Sequence, residues 1–113
     1  MDWNAIGKEA VQLLSEYVQI DTTNPPGNEH RATAFIGRIL EKEGISCQIF
    51  ESAPGRSNLY TCLKGDGTRR PVILLSHSDV VPVDRTYWSV DPFGGVIKDG
   101  YIWGRGTLDM KNL

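Results

Sequence analysis

His77, Asp79 and Asp109 are the side chains of this sequence whose types and spacing suit a divalent cation. Imidazole nitrogen and carboxylate oxygen both bind Zn²⁺ well, at roughly 2.0–2.2 Å. In His77-Ser78-Asp79 the two outer side chains leave the same face of an extended backbone. Asp79 could therefore support His77 by accepting its other ring N–H, or lie close enough to place a metal-bound water. Asp109 sits apart, in Gly104-Arg105-Gly106-Thr107-Leu108-Asp109-Met110-Lys111. The two glycines there permit close backbone approach, and a carboxylate arriving on a separate loop could bridge two cations. By itself, His-x-Asp is also what a strand ending in a polar turn looks like.

The elements around these residues follow from periodicity. Val72-Ile73-Leu74-Leu75 is a short unbroken apolar run, which predicts a central strand buried on both faces. His77–Asp79 then lies just beyond its carboxyl end, where ligands of open α/β sheets gather. Upstream, Ile6, Ala10, Leu13, Leu14, Tyr17 and Val18 fall on one stripe, predicting an amphipathic helix over about 4–20. Asp21-Thr22-Thr23-Asn24-Pro25-Pro26-Gly27-Asn28 breaks it, either as a connector or as a rigid loop beside a substrate. Ala32, Phe35, Ile36, Ile39 and Leu40 predict a second helix over about 29–43, with Gly44 as its left-handed terminator and His30 on its surface. Strands are expected at 45–51 and 58–64, with Gly65-Asp66-Gly67 as a turn. The segment 80–92, with two prolines and Trp88, reads as irregular, and 94–103 as a hairpin turning at Asp99-Gly100. This order predicts an α/β fold: a mixed sheet flanked by helices.

Composition narrows the classes. A chain of 113 residues accommodates one modest domain, and 40% hydrophobic with 23% charged residues is ordinary for a globular protein. A net charge of -2 gives no reason to expect nucleic acid or an anionic membrane as partner. Nothing resembles a membrane span or a secretory leader, so the cytoplasm is the expected compartment. Cys47 and Cys62 match no metal or redox spacing and are expected to be reduced core thiols. The final residues stop inside a motif-like stretch, which suggests a truncated chain.

Several motifs in order carry a resemblance. His77-Ser78-Asp79-Val80-Val81-Pro82, Trp88, Asp91-Pro92-Phe93, Asp99-Gly100 and Gly104–Lys111 resemble those of the zinc-dependent exopeptidase and deacylase family. That family contains acetylornithine deacetylase, succinyl-diaminopimelate desuccinylase, carboxypeptidase G, aminoacylase and dipeptidases. Asp21–Glu29 is similar to its N-terminal loop, so nearly the whole chain is covered. The resemblance implies that residues 1–113 are the N-terminal portion of a catalytic domain, with no second domain. It implies His77 as a ligand of one zinc, Asp79 as the catalytic-site carboxylate pairing with that histidine, and Asp109 as the carboxylate bridging two zincs. The Asp109–Met110 peptide bond is then expected to be cis. Cobalt or manganese would also suit such ligands.

The implied reaction is hydrolysis of an amide or peptide bond in an N-acyl amino acid or small peptide, by a parent enzyme that could be a homodimer. The family's glutamate base and remaining ligands have no counterpart here, so the alternative is a non-catalytic fragment. Trp88, Phe93 and Trp103 are expected to pack in the core or rim. Arg105 is expected to pair with a carboxylate near the site, or else to reach a substrate carboxylate.

Overall fold

Asp2 opens the first helix by accepting hydrogen bonds from the backbone N–H groups of Asn4 and Ala5, at 3.0 and 3.1 Å. These are amides that no helical carbonyl can serve. In the computed structural model, which describes residues 1–113, helix α1 spans Trp3–Val18 and helix α2 spans Glu29–Lys42. Gly44 ends α2 at φ +73°, with its N–H donating to the Glu41 carbonyl and that of Ile45 to the Leu40 carbonyl. This left-handed termination is what a residue without Cβ permits.

Strands β1 (Cys47–Ala53) and β2 (Arg56–Thr61) form one antiparallel ribbon, with a register shift between Glu51 and Ala53. Strands β3 (Val96–Lys98) and β4 (Tyr101–Trp103) form another. Asp99 and Gly100 turn the second ribbon at φ +55° and +80°, the two positive values that a tight I′ hairpin turn demands. The α/β class expected from the sequence holds. Its sheet is divided between these two ribbons, and the one parallel pairing is an isolated bridge between Thr23 and Val80.

Helix α2 lies on the β1–β2 ribbon. Buried Thr33 and Ser57 share a hydroxyl hydrogen bond of 2.8 Å, and Arg56 Nε donates to both Glu29 carboxylate oxygens at 2.8 and 2.7 Å. Helix α1 meets α2 through stacked Tyr17 and Phe35 rings, 5.7 Å apart. It meets the hairpin through Ser15, whose hydroxyl donates to the Gly95 carbonyl at 2.7 Å. Gly95 is at φ +58°, and a methyl group there would strike the Ser15 carbonyl oxygen. Tyr17, Val18, Ala32, Val80 and Pro92 are buried apolar side chains.

Two expectations fail. Val72–Leu75 is neither a strand nor buried: it is extended chain without a ladder partner, and Leu74 is 93% exposed. A central strand exists only if neighbours hydrogen-bond both its edges, and β1–β4 pair among themselves instead. Leu74→Ala is therefore expected to change the unfolding free energy of this chain by less than about 0.5 kcal/mol. A buried strand would lose about 2–5 kcal/mol, so urea denaturation separates the cases. The cysteines are free thiols, but Cys62 is exposed beyond β2 and Cys47 only half-buried, so neither is a core residue. No helix is long and apolar enough to cross a membrane.

Candidate metal centre

The loop between α1 and α2 is laced to the His77 segment. The Val80 N–H donates to the Thr22 carbonyl at 3.2 Å, and the Asn24 N–H donates to the Val80 carbonyl at 2.9 Å. The hydroxyl of fully buried Thr22 donates to the Ser78 carbonyl. Asn24 lines an open cavity of about 320 Å³ together with His77, Asp79, Arg105 and Asp109.

His77 stands between two carboxylates. Its Nδ1 is 3.1 Å from Asp79 Oδ1 and 3.1 Å from the Asp79 carbonyl oxygen. Its Nε2 is 2.9 Å from Asp109 Oδ1, across 32 residues of sequence. The hydrogen bond to Asp109 is the largest influence raising the imidazole pKa, with the Asp79 carbonyl and both carboxylate charges adding to it and partial burial opposing. Asp79 is held below the usual carboxylate range, foremost by Asn24, whose Nδ2 donates to Asp79 Oδ2 at 2.9 Å.

Asp109 reaches His77 on a tightly folded loop. Gly106 (φ +88°) passes so near Val80 that a methyl group would be forced against its Cγ1. The Lys111 N–H donates to the Gly106 carbonyl at 2.8 Å. Buried Lys111 sends its Nζ back to α1, donating to the carbonyls of Tyr17 at 3.2 Å and Ile20 at 2.6 Å. The Asp109–Met110 peptide bond is cis, as the resemblance implies.

The three residues singled out in the sequence are thus brought together. Arg105 corrects the expectation placed on it. No carboxylate lies within ion-pair distance, its guanidinium instead sits 5.5 Å above the Trp88 ring, and its Nε is buried without a partner. Trp88 and Phe93 are half-buried, and Trp103 is exposed on the hairpin, donating its indole N–H to the Lys98 carbonyl at 3.2 Å. Asn24 and Lys111 were not assigned roles from sequence. The only signal for either is membership of the two motif segments, Asp21–Glu29 and Gly104–Lys111.

The donor set fits one side of a cation site. An imidazole nitrogen and an 87% exposed carboxylate face each other, and the histidine is backed by a second carboxylate. No third histidine, cysteine or acidic side chain joins them in a ligand-forming group.

Residues 73–113 match peptidase family M20/M25/M40. The chain is 41% identical over 106 residues to aminoacylase-1 of Sus scrofa, covering 90% of this chain and 26% of that protein. It is 37% identical over 114 residues to an N-fatty-acyl-amino acid synthase/hydrolase of Xenopus tropicalis, covering 93% of this chain and 22% of that protein. Against succinyl-diaminopimelate desuccinylase of Cereibacter sphaeroides it is 37% identical over 105 residues, covering 92% and 27%. The chain therefore spans about a quarter of the length of the curated relatives it matches. Aminoacylase and succinyl-diaminopimelate desuccinylase are both members of the family that the motifs resemble.

Proposed function

We propose, from its likeness to the M20/M25/M40 peptidases, that this chain is the N-terminal portion of the catalytic domain of a metal-dependent hydrolase. Its substrate class is the amide bond of an N-acyl amino acid or small peptide, and its resident cation is zinc, with cobalt or manganese as chemical substitutes. The carrying observation is the His77 Nε2–Asp109 Oδ1 pair, 2.9 Å apart at the cavity, with Asp79 on the opposite ring nitrogen. Support for the substrate class comes from relatives named for acyl amino acids.

Each residue has a defined task. Asp79 accepts the Nδ1–H of His77, which selects the tautomer whose Nε2 lone pair points toward Asp109. Asp109 offers a solvent-facing carboxylate for the same cation, and His77 and Asp109 together are the direct ligands. A cation held there supplies Lewis acidity toward a carbonyl and acidifies water. The chain offers no further ligand group beside them, and this favours a second reading: residues 1–113 alone form a half-site that binds metal without turnover.

Zinc titration of the chain, followed by assay on N-acetyl, N-succinyl and long-chain N-acyl amino acids, tests both. The expected result is saturable binding that Asp109→Ala weakens at least about tenfold. Zinc-dependent amine release would establish the hydrolase in this chain, and binding without release would establish the half-site. Binding identical in the variant overturns the ligand assignment.

A further inference from the structure

We infer that Asn24 is a positioning residue for the cation site, acting through Asp79 on the tautomer of His77; this rests on the ligand assignment proposed above. The hydrogen bonds form one chain. Asn24 Nδ2 donates to Asp79 Oδ2 at 2.9 Å, Asp79 Oδ1 lies 3.1 Å from His77 Nδ1, and His77 Nε2 lies 2.9 Å from Asp109 Oδ1.

A carboxylate next to a histidine can rotate about its own bonds, and only one orientation addresses the ring squarely. By taking Oδ2, the Asn24 amide leaves Oδ1 turned to the imidazole. The amide is itself held in place, since the Asn24 N–H donates to the Val80 carbonyl and Thr22 and Val80 are buried alongside. The Asn24 backbone is thus placed independently of its side chain.

The consequence concerns where the single proton of neutral His77 resides. Both ring nitrogens face carboxylate oxygens, so either could carry it. A proton on Nε2 would occupy the lone pair needed for a cation. An anchored Asp79, assisted by its own carbonyl 3.1 Å from Nδ1, biases the proton to Nδ1 and leaves Nε2 free. An outer partner of this kind typically changes metal affinity by about 10–100-fold.

The test is ring-nitrogen NMR on His77 in the metal-free chain with the imidazole neutral. It compares wild type, Asn24→Ala, Asn24→Asp, Asp79→Asn and the Asn24→Ala/Asp79→Asn double variant. The Asp variant keeps the volume of asparagine should alanine perturb folding. The expected result is a proton mainly on Nδ1 in wild type and a shift toward Nε2 in both Asn24 variants. Asn24→Ala should add nothing once Asp79 is Asn, because coupled residues are non-additive. In parallel, Asn24→Ala should lower zinc affinity about tenfold. An unchanged proton distribution in the Asn24 variants, or an undiminished effect of Asn24→Ala in the Asp79→Asn background, overturns the inference. Failure of wild type to bind zinc would instead overturn the ligand assignment, while the NMR comparison still decides the role of Asn24.

Discussion

Exchange of His77 for alanine is expected to lower zinc affinity at least about 100-fold, the upper end of what even an indirect partner contributes. In the proposed site the imidazole is one of only two direct donors, and Asp109 has no other basic or ligating group beside it. The same histidine makes binding pH-dependent. Its pKa is raised, first by the Asp109 hydrogen bond, so protons compete with the cation to a higher pH than for a free imidazole. Affinity should climb as pH rises through that elevated value and then level off.

Folding stability responds in the opposite sense. A raised folded-state pKa adds stability below the ordinary value of 6.5, and that gain is lost as pH rises through the folded value. With 47% of the side chain exposed, this contribution is at most about 1 kcal/mol. Calorimetric zinc titrations at several pH values, with His30→Ala as control, check both statements. His30 is exposed and its ring hydrogen-bonds to the Gly55 carbonyl, away from the cavity, so its removal should leave zinc affinity unchanged. Equal loss in the two variants would rule out a specific site at His77.

Lys111→Ala is expected to destabilise the chain by about 3 kcal/mol, the largest effect of any single truncation near the site. Lys111 is 4% exposed, and its Nζ serves two carbonyls at the end of α1 and lies 4.8 Å above the Tyr17 ring. An ammonium at the C-terminal end of a helix meets its unpaired carbonyls and the negative end of its dipole. Removing it orphans two acceptors and leaves a cavity beside Tyr17. Lys111→Met fills most of that volume and should cost about half as much.

Burial pushes the Lys111 pKa down from 10.5 to about 8, which carries a definite sign. Between these values the unfolded chain binds more protons than the folded one, so stability should rise with pH above 8. The gain reaches about 3 kcal/mol near pH 10. There Tyr17 begins to oppose it: burial raises the Tyr17 pKa, so its contribution to stability falls as pH rises past 10. Urea denaturation between pH 7 and 10 should show this rise in wild type and not in Lys111→Met. A rise of the same size in both would assign it to another group.

Lys111 and Asn24 perform parallel tasks. One ties the Asp109 loop to the end of α1, and the other ties Asp79 to the loop that follows α1. Helix α1 and its trailing loop therefore frame both halves of the proposed cation site. This explains why a helix carrying no ligand accompanies the motif segments.

The parts legible in the sequence are those governed by neighbours along the chain. Helices α1 and α2 follow from apolar residues recurring at i, i+3 and i+4, and the stop at Gly44 from the freedom of glycine at positive φ. The Asp99-Gly100 hairpin follows from turn chemistry, and His77 with Asp79 from the alternation of an extended backbone. What tertiary structure decided is what no local rule contains. Val72–Leu75 has the composition of a central strand, but a strand requires hydrogen-bonding partners at its edges, and these 113 residues place none there. The meeting of His77 with Asp109, of Asn24 with Asp79 and of Lys111 with Tyr17 joins segments 32, 55 and 94 residues apart. Each depends on how α1, its trailing loop and the glycine-rich segment fold back on one another. Such contacts depend on distances in space, which residue spacing along the chain does not encode.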